Sequence, residues 1–136
     1  MDALNKDVSQ CEQASRRFGV DCCTGSVPAC CNDGGFPDFA RFGFKYCSTD
    51  NDELSWDEIR IQIACKDRPV VFSHHLSGTG GHMMVIIGYN ESGNQRDVIV
   101  LDPADKKVDE TTYSYSWYVD RNGCRQHWDD FYDVRP

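Results

Sequence analysis

The chain has 136 residues, 40% of them hydrophobic and 26% charged, with a formal net charge of −8 and an isoelectric point near 4.8. That length suits one domain with its own core. Such an acidic chain repels nucleic acid and anionic membrane, and no apolar run approaches the ~20 residues of a membrane helix, so those partners are set aside.

Taken in chain order, Asp2 to Asp7 reads as the tail of an earlier helix and its turn, and the opening MDALNKD has no apolar signal-peptide core. A secreted protein with this start has either lost its signal or begins downstream of its natural start. Ser9 with Glu12 forms a capping box for a helix over 9–19, with Cys11, Ala14 and Phe18 on one face and Gly19 as its stop. Residues 20–35 are dense in Cys, Gly and Pro and need crosslinks to hold a shape. Pro37 opens a short helix carrying Phe39 and Phe42, and Phe44 to Cys47 is a brief strand. Ser55 and Glu58 cap a helix whose buried stripe includes Ile59 and Ile63.

Strands are expected at Pro69–Ser73, His82–Tyr89 and Asp97–Leu101, with Asn90 to Asn94 as the turn between the last two. The aromatics Tyr113, Tyr115 and Trp117 alternate like a half-buried strand, and His127–Tyr132 forms a last one. Helices and Cys-rich loops (1–66) come first and an antiparallel sheet (67–136) second, within a single α+β domain.

Eight cysteines, at 11, 22, 23, 30, 31, 47, 65 and 124, point to disulfides and an oxidising or secreted location. They lack the spacing of ordinary zinc sites, so no metal or cofactor is expected, and eight cysteines allow 105 pairings.

One geometric feature concerns chemistry. Facing residues of a hairpin are equidistant from its turn, and the midpoint of His82 and Asp102 is residue 92, inside the expected turn. A hairpin without a bulge then sets His82 opposite Asp102, with Cβ atoms roughly 5 Å apart. An imidazole beside a carboxylate has a fixed tautomer and a supported cation. The plain alternative is a strand-end histidine bound to backbone. The adjacent His74 and His75 point opposite ways on a strand and so do not share a metal. His127-Trp128 can bring an indole near the pair or simply fill the core.

The ordered set Gln10-Cys11-Glu12-Gln13-Ala14, Leu54-Ser55-Trp56, Arg68-Pro69-Val70, Gly80-Gly81-His82-Met83-Met84-Val85, Leu101-Asp102-Pro103 and His127-Trp128 with Phe131-Tyr132 resembles the papain-like cysteine peptidases. The likeness is to the bacterial branch of secreted effector proteases and bacteriocin-processing-type peptidases. It implies a papain-like fold, a peptide or protein substrate, His82 as general base and Asp102 as its orienter. The sequence departs from the family pattern in lacking a Trp-Cys nucleophile helix with its preceding glutamine.

Three readings follow. The nucleophile belongs to a segment ahead of this chain. Alternatively, Cys11 is the nucleophile, in the first turn of a helix whose dipole favours a thiolate, with Gln10 as oxyanion donor. Or the chain is a non-enzymatic binding module in which His82 and Asp102 are a structural pair.

Overall fold

The computed structural model describes residues 9–24, 36–77, 80–104, 109–122 and 125–136. The expected helix tail at Asp2–Asp7, most of the Cys-rich loop and parts of three turns lie outside that set. The chain divides into two compact units, Met1–Gly43 with Pro136, and Phe44–Arg135.

In the first unit, helix α1 spans Gln10–Phe18. Ser9 caps it by accepting the Glu12 N–H, and Gly19 closes it in the left-handed conformation at φ 68°. The Gly19 stop is the sequence expectation, because only a residue without Cβ turns there at no steric cost, whereas only the Ser9 half of the expected capping box forms and the Glu12 carboxylate pairs with Arg16 instead. Cys11 is bonded to Cys23, and Cys22 is also in a disulfide. The short helix after Pro37 is a 3-10 turn, Ala40–Phe42, stopped by Gly43 at φ 80°.

The second unit is a six-stranded antiparallel sheet with two short helices on one face. Its strands are β1 (Lys45–Ser48), β2 (Val70–Leu76), β3 (Gly80–Ser92), β4 (Gln95–Leu101), β5 (Glu110–Ser114) and β6 (Arg125–Arg135), in the order β1-β6-β2-β3-β4-β5. Helix α2 spans Trp56–Arg60 and runs on as a π-helical turn, Ile61–Cys65. Both halves of its capping box form: Ser55 accepts the Glu58 N–H and Glu58 accepts the Ser55 N–H. Trp56 and Ile59 then drop onto Val70, Phe72, Met84, Ile86, Val98 and Val100, the alternate residues of three strands. Each such side chain removed from water contributes roughly 1.5–3 kcal/mol.

The chain does not continue as a strand through Tyr115 and Trp117. Instead Ser114 accepts the Trp117 N–H and caps a one-turn helix α3, Tyr115–Tyr118. A hydroxyl at the end of a strand competes for the backbone donors that the ladder would use. The turn delivers Tyr118 to the core, where it is 0% exposed. There the Tyr118 hydroxyl and the Leu54 N–H both donate to Asp130 Oδ2, the latter at 2.7 Å. Asp130 is itself 0% exposed, so these donors replace its lost hydration.

The β3–β4 hairpin differs from the expected one in two compensating ways. Its turn is only Gly93-Asn94, with Gly93 at φ 59°, so Ser92 faces Gln95 and Tyr89 faces Val98. Between Ile86 and Gly88 the register slips by one residue, and beyond that point Ile86 faces Val100 and Val85 faces Leu101. The slip is a β-bulge at Ile87, where a Cβ on Gly88 would lie 3.0 Å from Ile99 Cδ1.

Removing the Asp130 anchor is therefore costly. Tyr118→Phe should lower the unfolding free energy in urea by about 1–3 kcal/mol with an unchanged slope. Asp130→Ala, which strands the buried donors, should lower it by about 3–5 kcal/mol.

Candidate active site

The bulge decides where Asp102 points. With the turn-side register carried through the whole hairpin, position 102 would face Val85, and its side chain would leave on the face opposite His82. A slip of one residue moves a strand's side chains to the other face. With the bulge, position 102 comes opposite Met84, two residues from His82 and on its face. The pair is thus diagonal, not directly opposite as a bulge-free hairpin centred on residue 92 predicts. Diagonal neighbours lie roughly 7–8 Å apart at Cα, a gap that an imidazole spans.

His82 Nε2 accordingly lies 2.7 Å from Asp102 Oδ1. The same oxygen accepts the Ala104 N–H at 2.8 Å, which fixes the carboxylate where Pro103 ends the ladder. A carboxylate at Nε2 assigns the proton to that nitrogen and leaves Nδ1 as the bare, basic one. The side chains of His82 and Asp102 are 28% and 18% exposed, so the ring is held but still open to a reactant.

His82 ends a row of imidazoles. His74 faces it across β2–β3 and faces His127 across β2–β6. Both inner rings bond one acceptor, the Tyr118 carbonyl, through His74 Nε2 at 3.2 Å and His127 Nδ1 at 2.9 Å. Among the described residues, His74 Nδ1, His127 Nε2 and Asp130 Oδ1 are buried without a hydrogen-bond partner, although His127 Nε2 stands 3.4 Å from Asp130 Oδ2. Burial pulls His74 below its ordinary pKa, against the help of the Tyr118 carbonyl. Burial acts the same way on His127, but the Asp130 carboxylate and the same carbonyl outweigh it and raise its pKa. His75 points the other way and is exposed, as adjacent strand residues must.

The thiol side is different. Cys11 is the first-turn residue that the helix argument favours, but its sulfur is bonded to Cys23 and offers no thiolate in this form. That removes the Cys11 nucleophile reading for the oxidised chain. Cys47 and Cys65 are free and exposed. Cys47 faces Tyr132 at the end of the sheet remote from His82, three strands across and about four residues along. At ordinary strand spacings that is roughly 20 Å. Cys65 precedes β2 at the same remote end.

The sheet unit, with its hairpin and His–Asp pair, lies inside a family match. Residues 38–135 match the model of the peptidase C39-like family, which is well over half of the chain. The chain belongs to the peptidase C39-like family. Membership supports a cysteine peptidase-type fold for the sheet unit and its helices. Searches of curated proteins and of solved structures returned no match.

Sequence reading did not find the buried cluster of His74, His127, Tyr118 and Asp130 that continues the row from His82. The glycines inside strand patterns, Gly81 and Gly88, mark the approach of Trp128 and the bulge beside Ile99, not this cluster.

The two inner histidines give opposite pH dependences. His127, with its raised pKa, stabilises the fold fully below pH 6.5, its unfolded value, and that contribution is lost as pH rises through the folded value. His74, with its lowered pKa, costs stability as pH falls below 6.5 through its folded value. Urea titrations across pH should therefore show the gap between wild type and His127→Gln shrinking on the alkaline side. His74→Gln should lose part of the acid-side decline.

Proposed function

We propose that the protein is a papain-like cysteine peptidase that hydrolyses peptide bonds through a Cys-His-Asp arrangement. His82 Nδ1 takes the proton of a cysteine thiol, and the thiolate attacks the peptide carbonyl. The imidazolium then gives that proton to the departing amine, and water attacks the acyl-enzyme with His82 again as base. Asp102 holds the ring with Nδ1 outward and stabilises the cation through Nε2–H. The observation that carries the reading is the 2.7 Å contact between a half-open imidazole and an anchored carboxylate, within the span matched by the family. The thiol in this reading is a cysteine other than Cys11, Cys47 or Cys65. The bonded Cys11, Cys22 and Cys23 support work in an oxidising compartment such as the outside of the cell.

The test is cleavage of a fluorogenic peptide library by the full-length natural protein and its variants. His82→Ala should lower kcat/KM by roughly 10²–10⁴-fold. Asp102→Ala should lower it in the same direction. A library cleaved equally well by wild type and His82→Ala, or not cleaved at all, contradicts the proposal.

A further inference from the structure

His82 follows two residues that have no side chain. Gly80 opens β3 at φ 93°, and Gly81 pairs with His75 across β2–β3. A Cβ placed on Gly81 would lie 3.3 Å from Trp128 Cζ3, 3.5 Å from Trp128 Cε3 and 3.6 Å from the His74 carbonyl oxygen. Trp128 belongs to β6, which pairs with β2 and not with β3, so its indole crosses the width of β2 to reach Gly81. The ring of His75 meets that indole edge-on, with centroids 5.5 Å apart and planes at 79°. Gly81 and His75 present their Cβ directions to the face opposite His82 and His74. The indole therefore rests on the back of the strand one residue before the imidazole.

We propose that Trp128 is a positioning residue for His82. This rests on the reading of His82 as the base. The indole seats against the bare backbone at Gly81 and sets how far the start of β3 stands toward Asp102. With two glycines in succession, that start has no side chain of its own to fix its height. Asp102 is anchored independently by the Ala104 N–H at 2.8 Å. The 2.7 Å bond from ring to carboxylate then depends on the strand being held from behind. Glycine is favoured at 81 by this close approach and not by its conformation, because its φ lies outside the left-handed region.

The experiment is a double-mutant cycle of Gly81→Ala and Trp128→Leu in the full-length natural protein. It reads kcat and KM on a cleaved peptide, the nitrogen-15 shifts of the His82 ring by NMR and the urea midpoint. A displaced base costs turnover steeply, so Gly81→Ala should lower kcat on the order of tenfold with KM nearly unchanged. Trp128→Leu should act alike, and the double variant should be little worse than either single one. The His82 ring nitrogen shifts should move in both, and Trp128→Phe, which keeps an aromatic plane on Gly81, should restore most of the wild-type behaviour. A purely structural contact would lower the urea midpoint while leaving kcat and the His82 ring nitrogen shifts alone, and that result overturns the inference. So do independent, multiplicative effects in the double variant. If His82→Ala leaves cleavage intact, the base assignment fails by itself, and the His82 ring nitrogen shifts still decide whether Trp128 positions the ring.

Discussion

A single extra residue in β3 decides which face of the sheet receives Asp102. The turn-side half of the hairpin and its far half differ by one residue in register, and the difference is absorbed at Ile87. The core confirms the change of parity. Tyr89 on the turn side and Ile86 beyond the bulge both turn toward the same helices, although an unbroken strand would send them to opposite faces. Because the side-chain period is two, the bulge either delivers the carboxylate to His82 or withholds it entirely. Gly88 permits the bulge where any larger side chain would press on Ile99.

The sheet holds two histidine–aspartate pairs, and burial separates their roles. His127 and Asp130 have side chains that are 0% exposed, and they anchor Tyr118 and the Leu54 backbone. A pair closed off in this way cannot meet a substrate, and its value lies in satisfying buried donors. His82 and Asp102, at 28% and 18% exposed, share the chemistry without the closure. His74 stands between the two in the row, with no carboxylate of its own, which suits a ring that stays neutral while a neighbour takes a proton.

Much of the architecture was legible in local signals. Ser9 with Gly19, Ser55 with Glu58, and the turn residues after β3 mark element ends through backbone hydrogen bonding that involves few residues. The order of helices and strands follows from these ends. The His82–Asp102 contact was reached from the right two residues through a geometry that needed correction, since the turn lies later and the bulge compensates. The aromatic run after Thr112 was misread because alternation alone does not reveal that Ser114 will cap a helix. The Tyr118–Asp130–His127 cluster and the seat of Trp128 on Gly81 join residues from different strands. No spacing in one stretch of chain encodes them, although glycines within strand patterns flag that something approaches.

The most direct test of the account is the tautomer of His82, read from the nitrogen-15 shifts of its ring in the wild-type protein and in Asp102→Ala. The account predicts that neutral His82 carries its proton on Nε2, with Nδ1 bare, and that removing the Asp102 carboxylate relaxes this preference toward that of a free imidazole. A proton on Nδ1, or a ring that does not respond to the loss of Asp102, would contradict it.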